Sequence, residues 1–343
     1  MPPTSPHPSR AARGPLPSPA GGEGGILSTL SAALDGAALE PLPLKGVAHD
    51  HVRVVGREVV ARVPRWSQVG LDPAANLAYQ AAAFSRAAPS GHTPELAEVL
   101  EPRPGLPMGA LLVAEIAGRP PRLPEDMPAI AAALASLHRL PVPEERAPLA
   151  SPPDPVAATL ALVLRQAEHF DRADLDPMAL MRIEIELGAA QADRITAPLP
   201  VTLVGTDTHP GNFLIDAQGK AWFTDLEKAQ YGHPAIDLAH ASLYTSTMWD
   251  PDVATALTKA EVKAFLAAWE AAVAAELAAA VRPWLKPLRR LTWLRSLSWM
   301  ARWKIEGDRL SPGMPDALRA HLQERVEDVF RPETIDRVRA DWN

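Results

Sequence analysis

The chain has 343 residues, 47% hydrophobic and 22% charged, a globular balance with enough apolar material for about two packed domains. Its 34 Lys and Arg against 41 Asp and Glu leave a net charge of −7, which argues against a protein whose main task is coating nucleic acid. There is no Cys, so disulfides, thiolate nucleophiles and Cys-ligated zinc are excluded.

Residues 1–25 read as a Pro-rich, solvated and disordered tail. It has no apolar core of a secretory signal, and seven prolines within residues 1–22 would break the amphipathic helix of a transit peptide. No apolar run approaches the ~18–20 residues that span a bilayer, so the expected location is cytoplasmic. "ILSTLSAALDGAAL" then offers a short helix ending at Asp35-Gly36. Two alternating runs, 51–55 and 58–64, face each other across Gly56-Arg57 as a hairpin. Asp72 followed by Pro73 is an N-cap with Pro in the first turn, which predicts a helix over "PAANLAYQAAAFSRAA". "LAEVLEP" and "GALLVAEIAG" supply two further strands, and the segment as a whole is an α+β lobe.

Past Gly118 the pattern changes. "RPPRLPEDMP" is a linker, and from Met127 the chain is mostly helical with Pro-rich joints. "IAAALASLHRL" sets Ile130, Leu134 and Leu137 on one face, and "PVAATLALVLRQAEHF" and "PMALMRIEIELGAAQADRI" follow as helices. One β island interrupts them at 200–229: "FLID", a turn at Ala217-Gln218-Gly219-Lys220, then "AWFTDL". Asp207, His209, Asn212 and Asp225 cluster there on a loop and at hairpin ends, where a scaffold aims side chains at a ligand. A base, an amide oxygen and a second carboxylate converging on one point suit Mg²⁺ and a phosphoryl group. Spacing alone supports equally well the plainer alternative, in which Asp207 and Asn212 hydrogen-bond their own turn.

"LVGTDTHPGNFLID" and "WFTDLEKAQYGHPAIDLAH" resemble the aminoglycoside phosphotransferase and choline kinase family, relatives of the protein kinases. That family's pattern is H-G-D-x-x-x-x-N, a hairpin, I-D-F/W-E and a downstream D-L-A. The resemblance extends over nearly all of residues 40–305, with "PLKGVAHDHVRVVGREVVARVP" matching the nucleotide loop and "ALLVAEIAGRP" the hinge strand. It implies a two-lobed, protein-kinase-like α+β fold, with a small β-rich nucleotide-binding lobe at 26–118 and a mainly helical lobe at 119–343. It also implies ATP, or GTP, with Mg²⁺ as cofactors and a small hydroxyl compound as partner.

Carried over by position, Asp207 is the base that accepts the hydroxyl proton, and Asn212 and Asp225 are the Mg²⁺ ligands. Arg62 reaches the phosphates from its strand, and Lys45-Gly46-Val47 folds over them. Glu115, Ile116 and Ala117 form the hinge that meets adenine, and Asp237 braces the catalytic loop. Two positions depart from the pattern. Gly205-Thr206 stands where the family has His-Gly, and Gln80 stands where an acid would pair with the strand cation. Gln80 can hydrogen-bond Arg62 but cannot neutralise it. The rival expectation is therefore a catalytically inactive nucleotide-binding protein or scaffold, to be told apart by restoring Glu at 80 and His at 205.

Three histidines, His209, His233 and His240, match no compact zinc spacing. "RPWLKPLRRLTWLRSLSWMARWK" at 282–304 carries seven basic residues, four Trp and no acid. The expected role is a core helix with Leu288, Leu291, Leu294 and Leu297 inward and Arg outward. Its alternatives are a cationic acceptor pocket, which would repel a polycationic aminoglycoside, or a face docking on a membrane surface or acidic partner.

Overall fold

The structure, a computed structural model, describes residues 23–44, 46, 48–310 and 314–342. The expectations for the tail at 1–22, and for Lys45 and Val47, lie outside these residues.

The N-terminal lobe is a five-stranded antiparallel sheet in the order β1-β2-β3-β5-β4, flanked by two helices. Helix α1 (Glu23–Ala33) precedes a turn in which Asp35 and Gly36 adopt φ of 58° and 78°. Its Leu30 and Leu34 pack on Val52, Val54, Ala61 and Leu112 of the sheet. Strand β1 (Leu39–Pro41), which local pattern does not reveal, is a three-residue edge paired with β2. Strands β2 (His49–Val54) and β3 (Val59–Pro64) form the expected hairpin, in register His51 opposite Arg62, with Gly56 at φ 80° in its turn. Helix α2 (Pro73–Ala87) starts as predicted, the Asp72 carboxylate accepting from the Ala75 amide at 2.9 Å. Strands β4 (Leu96–Leu100) and β5 (Ala110–Ala114) complete the sheet.

The chain then passes through β6 (Gly118–Arg119) into a helical lobe. Its helices are α3 (Met127–His138), α4 (Pro155–Gln166), α5 (Glu168–Arg172) and α6 (Pro177–Ala192) before the β island. After it come α7 (Pro234–Ser242), α8 (Tyr244–Thr247), α9 (Lys259–Ala272), α10 (Ala275–Val281), α11 (Leu285–Leu310), α12 (Asp316–Val329) and α13 (Pro332–Arg339). The island holds β7 (Thr202–Val204), β8 (Phe213–Asp216), β9 (Ala221–Phe223) and β10 (Gln230–Gly232). β8 and β9 pair antiparallel, and β6 adds a third strand to them, so the segment leaving the upper sheet is bonded to the hairpin. β10 closes back on β7, which fixes both ends of the intervening loops. This is the two-lobed α+β architecture expected from the resemblance.

Helix α11 runs through the lower core. Leu288, Leu291, Leu294 and Leu297 are buried as expected, and so are Trp284, Trp293 and Trp303. The outward-arginine expectation fails. Arg289 bonds Asp341 at 2.7 Å, Arg290 bonds Glu186 at 2.8 Å and Asp193 at 2.9 Å, and Arg302 bonds Glu306 at 3.1 Å. Half-buried guanidinium groups are stable only with such partners. Three of its arginines are thus spent on carboxylates, and two of its tryptophans, Trp293 and Trp303, are internal, which weakens the case for a cationic acceptor pocket or a membrane-docking face. No helix among the described residues is long and apolar enough to cross a membrane.

Leu294 is wholly buried on this central helix. Leu294→Ala should therefore lower stability by about 2–5 kcal/mol, read from denaturant midpoints.

Candidate active site

The loop after β7 is shaped by one carboxylate. Asp237, fully buried on α7, accepts from the Gly205 and Thr206 amides, both at 2.8 Å. Behind it, the Trp269 indole donates to His138 Nδ1 at 3.0 Å, which leaves the imidazole proton on Nε2, 3.1 Å from Asp237 Oδ2. Asp237 thus braces the loop, as the resemblance implies.

Thr206 sits at φ 60°, a left-handed conformation costly for a β-branched residue, at the position where the family pattern has Gly. Three bonds hold it there. Its amide goes to Asp237, its hydroxyl donates to the Lys228 carbonyl at 2.9 Å, and its own carbonyl accepts from Arg295 of α11. Gly205 answers the question of the missing His. A Cβ there would lie 2.6 Å from Phe223 Cε1 and 2.9 Å from Thr208 Cγ2, both in buried side chains. Even a Cβ forces these side chains to shift, so a His at 205 would disturb the loop and would not report cleanly on activity.

The strained turn delivers Asp207 into the cleft between the lobes, about a quarter exposed at 23%. Its Oδ2 meets Lys228 Nζ at 2.6 Å, and His240 Nε2 stands 3.8 Å from Oδ1. Burial opposes charge on both Asp207 and Lys228, and their attraction prevails. Asp207 is held well below the usual carboxylate range, with His240 and His209 assisting, and Lys228 is held above its ordinary value. Asn212 Nδ2 donates to the Asp207 backbone carbonyl at 2.7 Å, which turns its Oδ1 away from the loop. The turn-forming alternative raised from spacing is therefore realised for Asn212 without occupying its oxygen.

Asp225, at the end of β9, receives Arg62 Nη2 at 2.7 Å, while Nη1 donates to the Thr224 carbonyl at 3.0 Å. Burial would raise Asp225, but Arg62 and then His49 draw it below its ordinary value. Arg62 is itself buried, and its Nε has no partner in the protein. His51, pushed down to about 3 by burial and then by Arg62, faces Arg62 Nη1 at 3.2 Å as a neutral acceptor.

Gln80 does not bond Arg62. Its Oε1 lies 3.1 Å from His49 Nε2, and His49 Nδ1 lies 3.2 Å from Glu227, whose other oxygen accepts from Gln68. The donors and acceptors close consistently if Glu227 carries a proton. His49 Nε2–H then donates to Gln80, Glu227 donates to His49 Nδ1, and Gln68 donates to Glu227. Burial, and then the charge of Asp225, push Glu227 up to about 8, and burial followed by Arg62 pushes His49 down to about 4.

The site therefore unites Asp207, Asn212, Asp225 and Arg62, with Gln80 one residue removed behind His49. Glu115 stands apart. Its amide donates to the Glu58 carbonyl and its carboxylate accepts from Arg53, each at 2.9 Å or less. Gly46 is exposed between β1 and β2, and Ala117 lies in the segment between β5 and β6. Neither joins these bonds. His233 caps α7 by accepting the Ala235 amide, and no group of three or more potential metal-binding His, Asp or Glu occurs among the described residues.

Residue-by-residue reading passed over Lys228, Glu227, His49, His138 and Arg295 as site members. The available signal was a Lys three residues past Asp225 in a chain with only seven.

A family model described as the phosphotransferase enzyme family matches residues 40–288. A choline/ethanolamine kinase family protein from Mesorhizobium loti is 20% identical, with TM-score 0.56 over 92% of this chain and 97% of that one. A spectinomycin phosphotransferase, solved with ADP and spectinomycin, is 10% identical, with TM-score 0.58 over 90% and 98%. An aminoglycoside 2'-phosphotransferase solved with GDP is 13% identical, with TM-score 0.56 over 88% and 97%. Among curated proteins there is no match.

Two outcomes follow from the packing and protonation described. Gly205→Ala should cost about 1–3 kcal/mol by overpacking, measured by urea unfolding. Glu227 has a raised folded-state pKa, so its stabilisation is present at low pH and is lost as pH rises through about 8. His49 is neutral in the folded state above pH ~6.5, and its unfolded-state titration near ~6.5 is common to wild type and Glu227→Gln, so it cancels from their difference. Between pH ~6.5 and 8 the wild type should lose stability relative to Glu227→Gln, and parallel unfolding curves at the two ends would contradict a protonated Glu227.

Proposed function

This chain belongs to the phosphotransferase enzyme family, and from that premise we propose that it transfers the γ-phosphoryl group of ATP, or of GTP, to a hydroxyl of a small molecule with Mg²⁺. The observation that carries this reading is the joint placement of three groups by one braced loop and one hairpin. Asp207 enters the cleft as a carboxylate, Asn212 has its amide nitrogen tied back, and Asp225 is ion-paired to the strand cation Arg62. The donors available to a metal, Asn212 Oδ1 and the Asp225 carboxylate, are hard oxygens suited to magnesium. Held there, Mg²⁺ would neutralise charge on the nucleotide phosphates.

The remaining work belongs to the chain's own residues. Asp207 orients the acceptor hydroxyl and takes its proton as the oxygen attacks phosphorus. The bond from phosphorus to the β,γ-bridging oxygen breaks, and its electron pair leaves on the nucleoside diphosphate. Arg62, held beside Asp225 by Nη2, would lend its charge to phosphate oxygens bound there. Glu115, Ile116 and Ala117 remain the proposed hinge, with Ile116 and Ala117 supplying backbone groups because the Glu115 amide is already bonded.

The inactive-scaffold alternative rested on Gln80 and Gly205. Gln80 serves His49, Arg62 is neutralised by Asp225, and a Cβ at Gly205 would crowd Phe223 and Thr208. Neither residue therefore argues for a dead site.

Thermal unfolding with ATP or GTP, each with and without Mg²⁺, tests the reading. At a hundred times its dissociation constant, a bound nucleotide should add about 2.7 kcal/mol. That gain should require Mg²⁺ in the wild type and lose this requirement in Asp225→Ala. Asp207→Ala should still bind nucleotide and lose on the order of 10²–10⁴-fold in phosphoryl transfer. Wild-type turnover in Asp207→Ala, measured as nucleoside diphosphate release, would remove the central assignment.

A further inference from the structure

We propose that Lys228 is a second catalytic residue, one that grips the transferring phosphoryl group and releases Asp207 as it does so. The inference rests on the kinase reading above. Lys228 stands in the same short segment as Asp225 and Glu227, and Thr206 clamps its backbone carbonyl at 2.9 Å. Its ammonium therefore reaches the cleft from a fixed point beside the catalytic loop. Nζ lies 2.6 Å from Asp207 Oδ2 and also feels the charge of Asp225. The Lys228 side chain remains 29% exposed, and Asp207 and Asp225 are each 23% exposed. A single cation thus stands by the proposed base and within electrostatic reach of the proposed metal ligand.

The ion pair seen here is a poor arrangement for catalysis. While Nζ holds Oδ2, its positive charge lowers the basicity of the carboxylate, so Asp207 is a poorer acceptor of the hydroxyl proton. A γ-phosphoryl group carries more negative charge than one carboxylate and competes for the ammonium. Lys228 has no second carboxylate in ion-pair range among the described residues, so turning to the phosphoryl group breaks one contact only. Arrival of the triphosphate then uncovers Oδ2. The hydroxyl oxygen attacks phosphorus, its proton passes to Asp207, and the bridging oxygen leaves with its electron pair on the diphosphate. Lys228 stays protonated throughout and stabilises the equatorial oxygens. A diphosphate lacks the group that Lys228 grips.

The test needs no acceptor. Affinities of Mg–AMP-PNP and Mg–ADP are measured by calorimetry on the full chain. Lys228→Met should weaken AMP-PNP by about tenfold or more, the loss expected for one charge-assisted hydrogen bond, and leave ADP within about twofold. Lys228→Arg should keep most of the preference. Asp207→Asn, which removes the competing charge, should tighten AMP-PNP and leave ADP unchanged. Equal weakening of both nucleotides in a folded Lys228→Met, or no change in either, overturns the assignment. If Lys228→Met does not fold, Asp207→Asn decides, and an unchanged preference overturns the proposal. A wild type that binds neither nucleotide overturns the kinase reading itself. Binding of both nucleotides with a preference indifferent to these substitutions overturns only the role of Lys228.

Discussion

Asp237, fully buried, gives both carboxylate oxygens to consecutive backbone amides, Gly205 and Thr206. A buried carboxylate is tolerable only when its hydrogen bonds are complete, and here His138, oriented by Trp269, completes them. This interaction decides where the chain reverses after β7. It sustains the left-handed Thr206, and Thr206 sets the direction in which Asp207 leaves the loop. Helices α3, α7 and α9 supply the three side chains, so packing of the helical lobe and geometry of the site are one problem.

Charge in the cleft is balanced in two pairs, Asp207 with Lys228 and Asp225 with Arg62. His49, His51 and Glu227 beside the second pair are held neutral by burial, so they add no charge to it. This accounts for the absent acid on α2. The strand cation takes its counter-charge from the catalytic segment, and α2 is anchored by uncharged contacts. Gln80 bonds His49, and the Tyr79 hydroxyl donates to the Ala229 carbonyl at 2.7 Å. The upper helix is thus tied to the segment that carries Asp225, Glu227 and Lys228.

The elements whose signals are local were legible in the sequence. The Asp72-Pro73 start of α2, the Gly56 hairpin and the leucine stripe of α11 needed only capping, turn chemistry and periodicity. Asp207, Asn212 and Asp225 were legible because their order and spacing match a known pattern. What escaped was long-range. β1 is too short to carry a pattern, and the arginines of α11 look solvent-facing until Glu186, Asp193 and Asp341 arrive from distant segments. The departure at 205–206 counts toward an inactive protein in the sequence because pattern comparison cannot weigh the space around Phe223. Lys228 carries no local signal of its ion pair, since its partner lies 21 positions earlier.

Helix α11 shows how far the site's support extends. Arg295 holds the Thr206 carbonyl, one turn earlier Arg289 and Arg290 hold Asp341, Glu186 and Asp193, and Trp293 packs on Trp342 with ring centroids 5.5 Å apart. Glu186 in turn receives Arg339 and the Trp342 indole. The same rigid helix therefore touches the strained residue beside the base and the last turn of the chain. Side chains on one helix move together, because displacing it would expose Leu291, Leu294 and Leu297 and break several buried ion pairs at once. The C-terminal residues 339–342 are thereby part of what keeps Thr206 in a conformation it would not adopt alone, although none of them lies in the cleft.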